Sequence, residues 1–118
     1  MTQMLNRQAR IVPDNHGSIA WYALRVRSRH EKKIAMLLEQ KGIEISLPLL
    51  QVTRQWSDRK RLVQVPLFQG YVFTRIPMQL KHYEVLQTPG VVAFSGIGGK
   101  IKAIPDEQMY WLDQALHT

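Results

Sequence analysis

Phe68, Tyr71 and Phe73 stand close together in the run Pro66-Leu67-Phe68-Gln69-Gly70-Tyr71-Val72-Phe73. An aromatic ring desolvates a large area at little entropic cost, so neighbouring rings can anchor a partner in a shallow apolar pocket. Strand alternation puts Tyr71 and Phe73 on one face and Gly70 and Val72 on the other. Burial of the Tyr71 face under the protein's own helices fits the same spacing, so core and surface readings stay open. The second chemistry is charge. Arg25, Arg27, Arg29, His30, Lys32 and Lys33 form one basic group, and Arg54, Arg59, Lys60 and Arg61 form another. A guanidinium pairs with phosphate and stacks on unpaired bases. The plain alternative for both groups is a solvated helix face and a solvated hairpin tip.

Little else in the chain points to chemistry. His16, His30, His82 and His117 are scattered, with no HxH or HExxH spacing to hold a metal. Gly96-Ile97-Gly98-Gly99 has no following Lys-Ser/Thr and does not open a helix, so it reads as a turn. No acidic pair is placed for general acid-base work. A binding protein is therefore expected, not an enzyme, with no cofactor and no metal. The chain has no cysteine, which rules out disulfides and thiolate metal sites. Sixteen Lys and Arg against nine Asp and Glu give a formal charge of +7, which favours polyanionic partners, nucleic acid first among them. At 118 residues the chain can build one core. It shows no apolar run of membrane-spanning length and no apolar signal core near Met1, so a cytoplasmic protein is expected.

These residues need elements to position them. Residues 1–19 carry Pro13, Asn15 and Gly17 without a sustained period and read as a flexible leader. Trp21 to Val26 reads as a strand with Tyr22, Leu24 and Val26 on one face. Ser28-Arg29-His30-Glu31 fits a capping box, predicting a helix from Arg29 to Lys41 with Ile34, Leu37 and Leu38 on its apolar stripe and Gly42 as its stop. Ile43 to Leu50 is strand-prone around Pro48. Gln51–Trp56 and Arg61–Val65 then make a hairpin turning at Ser57-Asp58-Arg59-Lys60. Gly70 to Ile76 is the next strand. A short helix over 78–86 follows, with Leu80, Tyr83 and either Leu86 or Gln87 at helical spacing, and Thr88-Pro89-Gly90 ends it. Val91–Ser95 is a strand. Pro105-Asp106-Glu107 opens a last helix with Met109, Leu112 and Leu116 inward. The order β-α-β-β-α-β-α predicts an α+β fold, an antiparallel β-sheet flanked by helices in a ferredoxin-like sandwich.

From about Trp21 to Leu116, the first strand, the capped helix, the basic hairpin and the Phe-Gln-Gly-Tyr run together resemble the N-terminal (NGN) domain of the NusG/RfaH family of transcription elongation and antitermination factors. The resemblance implies a domain over 20–118, and a chain without the family's C-terminal KOW barrel. It implies that Phe68, Tyr71 and Phe73 bind RNA polymerase, at the clamp helices of the largest subunit. Arg27, Arg29, His30, Lys33, Gln87 and Thr88 would face the non-template DNA strand of the transcription bubble. Arg59, Lys60 and Arg61 at the hairpin tip would reach upstream duplex or polymerase. Such a factor, acting as a monomer, suppresses pausing and raises processivity. Gln69 stands where the family usually has proline, and Gln79-Leu80-Lys81-His82-Tyr83 lacks the His-Thr-rich run with which some specialised members touch the opposite jaw. The leader and Gln69 fit a specialised paralogue better than the housekeeping factor.

Two rival classes are compatible with the residues. One is a free-standing basic nucleic-acid-binding module using its sheet and hairpin. The other is a scaffold that pairs its apolar face with a second copy. A nucleic-acid module binds bare oligonucleotides with a steep salt dependence, whereas a polymerase factor depends on its aromatic face.

Overall fold

Alternation in Ile19–Val26 (β1) turns Tyr22, Leu24 and Val26 inward, leaving Trp21 and Ala23 half-buried and Arg25 exposed on the other face. The computed structural model describes residues 18–116. Of the expected leader, residues 1–17 lie outside the described residues, and Ile19 already belongs to β1. After β1 come Glu31–Gln40 (α1), Glu44–Ser46 (β2), Leu49–Trp56 (β3), Arg59–Pro66 (β4) and Tyr71–Pro77 (β5). Met78–Leu86 (α2), Val91–Phe94 (β6), Gly96–Ile97 (β7), Lys100–Ile101 (β8) and Asp106–Leu116 (α3) complete the order.

β2, β5, β1 and β6 lie in that spatial order in a four-stranded sheet whose neighbours are all antiparallel. Leaving the β3–β4 hairpin aside, the order β-α-β-β-α-β with β1 and β5 at the centre is the ferredoxin-like arrangement, as the element pattern predicted. Ile34, Ala35 and Leu38 from α1 and Val85 from α2 bury against Tyr22, Leu24, Val26, Val72 and Ile76 on one face of the sheet. Phe94 joins this layer edge-on to Tyr22, with ring centroids 6.0 Å apart. α3 packs against β1, and Ile104 bridges to Trp21 just before it.

α1 ends as the sequence predicts. Gly42, at φ +79°, donates to Glu39 O and Ile43 donates to Leu38 O, the reciprocal bonds of a Schellman stop. Its beginning differs. The helix starts at Glu31, its N-cap is His30, and no side chain caps it. The expected capping box is absent because Arg29 sits at φ +72°, outside helical geometry, and the Glu31 carboxylate is used elsewhere. α2 occupies the predicted residues but buries only Val85, while Leu80, Tyr83 and Leu86 face outward. Pro48 is buried and divides the predicted Ile43–Leu50 strand into β2 and the start of β3.

Gly90 joins α2 to β6 at φ +92°, and its carbonyl accepts the Arg27 amide at 2.8 Å. A Cβ there would lie 2.6 Å from Ile34 Cδ1 and 2.9 Å from Ile34 Cγ1, inside the core. Gly90→Ala combines a left-handed backbone with overpacking and should lower stability by about 2 kcal/mol. Thermal denaturation should show a midpoint lower by roughly 10 °C.

Candidate functional site

The aromatic run forms a turn locked from both sides. Tyr71 N–H donates to Phe68 O at 3.1 Å and Gly70 lies at φ +83°, the signature of a type II turn with Gln69 in its second position. Gly70 O accepts the Val26 amide at 2.8 Å, tying the turn to the end of β1. Gly70 N–H donates to Glu31 Oε2 at 2.6 Å, tying it to the first turn of α1. Glu31 is only 3% exposed, and its negative charge also suits the positive end of the helix. Capping-box spacing would use this side chain locally; the buried amide of a residue far along the chain claims it instead.

The turn presents its rings on the side of the sheet away from α1 and α2. Tyr71 lies opposite Arg25 and Phe73 opposite Ala23, whereas Val72, Thr74 and Ile76 enter the core side. Phe68 meets Phe73 edge-on, with centroids 5.5 Å apart and an interplanar angle of 80°. Phe73 is 8% exposed and supports the pair; Phe68 is 40% exposed and Tyr71 half-buried. Ser46, the β2 register partner of Phe73, lines a neighbouring cleft of about 370 Å³ with Leu47, Leu49, Met109 and Leu112.

The first basic group lies beside this turn. Arg27 to His30 form a turn closed by His30 N–H donating to Arg27 O at 3.1 Å, with Arg29 in the left-handed region. Arg27, Arg29 and Lys33 are exposed and His30 is half-buried. The Arg27 amide bond to Gly90 brings the loop containing Gln87 alongside. Gln87 is exposed. Thr88 is 2% exposed, and its hydroxyl accepts from Lys41 Nζ at 2.9 Å and donates to Glu84 O at 3.2 Å. Thr88 thus supports the loop from within and presents no free hydroxyl outward.

Arg59, Lys60 and Arg61 do not join that group. They are exposed at the far end of the β3–β4 ladder, beyond the Ser57-Asp58 turn. The ladder is moored at its base, where Leu67 N–H donates to Pro48 O at 2.9 Å and Lys32 Nζ donates to Gln64 O at 2.7 Å. Among the described residues no cluster of His, Cys, Asp and Glu could hold a metal ion, and no helix is long and apolar enough to cross a membrane.

Glu31→Ala leaves the Gly70 amide without its acceptor and should cost about 2 kcal/mol, while Glu31→Gln, which keeps an acceptor oxygen, should cost less than half of that. Urea denaturation midpoints measure the difference. Gln69 makes no amide hydrogen bond among the described residues and occupies the turn position that proline favours. Gln69→Pro should therefore raise stability by about 0.5 kcal/mol, read in the same denaturation series.

The family model described as transcription termination factor NusG matches residues 19–112. A structure of Thermotoga maritima NusG, solved for its domain interaction, is similar with a TM-score of 0.53 and 27% identity over 78% of this chain and 54% of that one. This chain thus spans about half the length of that protein. Weaker similarity extends to a Spt4 heterodimer complex from Methanococcus jannaschii, at 18% identity and a TM-score of 0.46 over 79% of this chain and 94% of that one. The N-terminal domain of NusG from Methanocaldococcus jannaschii matches at 20% identity and a TM-score of 0.43, over 78% and 98% of the respective chains. No curated protein matches. The family match covers the whole sheet, the aromatic turn and most of α3, and the chain belongs to the NusG family.

Proposed function

We propose that this domain is the polymerase-binding, N-terminal-type part of a NusG-family factor, which docks on the clamp helices of RNA polymerase and suppresses pausing. The observation that carries this reading is the aromatic turn. Phe68 and Tyr71 offer ring surface on the sheet side opposite the α1 and α2 core, and Phe73 backs them. Rigid rings held by backbone bonds make an anchor that loses little entropy on docking. Arg27, Arg29, His30 and Lys33, with Gln87 beside them, form the surface proposed for non-template DNA. Thr88 holds that loop in place. Arg29 in the left-handed region is the kind of backbone strain that accumulates at functional positions.

The mechanism requires no bond chemistry from the protein. A factor that binds a closed clamp better than an open one shifts the clamp equilibrium by its differential affinity. Each 1.4 kcal/mol of preference, roughly, changes the ratio of states tenfold. The test is retention of purified transcription elongation complexes by the immobilised chain. Tyr71→Ala and Phe68→Ala, at positions outside the core, should melt like the parent yet lose at least tenfold in binding. Arg29→Ser should keep binding to core polymerase and weaken the added contribution of the bubble. Equal retention of polymerase by the parent and both ring variants would refute the clamp reading.

A further inference from the structure

The register of the hairpin sorts its tip into unlike faces. Trp56 pairs with Arg59 and Arg54 with Arg61, whereas Gln55 pairs with Lys60. Because side chains alternate along each strand, Arg54, Trp56, Arg59 and Arg61 share one face and Lys60 falls on the other. The Ser57-Asp58 turn, with Ser57 at φ +52°, fixes this register, and a slip of one residue would exchange the faces.

We infer that this face binds single-stranded nucleic acid, with phosphates held by Arg54, Arg59 and Arg61 and an unpaired base stacked on Trp56. Arg54 and Arg61 stand directly opposite one another, where the Cβ atoms of a cross-strand pair lie about 5 Å apart and like charges destabilise the ladder. No acid among the described residues offsets them. Among the described residues Arg54, Arg59 and Arg61 make no ion pair, and neither does Asp58 in the turn. A polyanion relieves this repulsion. Trp56, 54% exposed, shares this face with the three arginines. In a duplex the bases are already stacked on each other, so an exposed indole adds most where bases are free. An acidic peptide would meet the charge but give the ring no π face to stack on.

The inference rests on the family reading for its setting, yet it is measured without polymerase, so either can fail alone. The full chain is titrated against short fluorescent oligothymidylate, oligouridylate and a blunt duplex, with polyglutamate as the acidic competitor. Single strands should bind with a steep loss of affinity as salt rises. Trp56→Ser should weaken that binding roughly tenfold or more, the value of one stacked base, while Trp56→Phe should retain most of it. Arg61→Ser should cost several-fold more than Lys60→Ser, although each removes one positive charge. Duplex binding should be weaker and indifferent to Trp56. Preference for one of the single strands identifies it as RNA or DNA. The proposal is overturned by equal losses at Arg61 and Lys60, by full affinity in a folded Trp56→Ser chain, or by absence of single-strand binding at low salt. Displacement by polyglutamate as effective as by oligonucleotide would overturn it in favour of an acidic protein partner.

Discussion

The hydrogen bond from the Gly70 amide to Glu31 Oε2 is the constraint on which the arrangement of both candidate surfaces depends. A buried amide without an acceptor and a buried carboxylate without a donor are each unfavourable, and each satisfies the other here. Gly70 also gives its carbonyl to Val26, so both polar groups of one glycine are committed to the elements that precede it. The end of β1, the start of α1 and the start of β5 are thereby held at one point. The basic turn from Arg27 to His30 is the short piece of chain between the first two. Its distance from the aromatic turn is consequently set by backbone geometry and does not depend on the flexible arginine side chains.

Much of this was readable in the residues. Alternation in β1, the glycine stop of α1, the limits of α2 and the antiparallel order follow from local patterns that tertiary packing reinforced. The failures occurred where a distant group outcompeted a local rule. Ser28 and Glu31 have capping-box spacing, but Glu31 serves an amide 39 residues away, which no short window reveals. The α2 stripe had helical period, yet a helix of 9 residues against a sheet buries Val85 and little more, so period did not decide the inward face. Thr88, which the resemblance aims at DNA, is an internal strut because the Lys41 side chain reaches it from the end of α1. At the aromatic run, alternation correctly separated Tyr71 and Phe73 from Val72. Only the fold shows that Phe73 is buried by partners other than the main core, with Phe68 leaning on its edge.

The sheet is covered differently on its two sides. The side facing α1 and α2 is closed by aliphatic groups, with Leu24, Val72 and Val85 excluded from water. The other side is covered in part by α3 and by its own aromatics, and keeps an open cleft beside Ser46. A domain of this size has limited apolar area for stability. Concentrating it on one side leaves the residues of the other less committed to the main core, and the NusG-family match spans both sides.

The hairpin has one more consequence. Among the described residues β3 pairs only with β4, so each has an outer rim of backbone groups unmatched by a neighbouring strand. Such rims are templates on which a second chain can extend a sheet, the first step towards aggregation. Arg54 on β3 and Arg59, Lys60 and Arg61 on β4 put positive charge beside both rims near the tip. A second hairpin approaching in register would bring the same charges with it. The cations that weaken this ladder from within also keep it from being lengthened by another molecule.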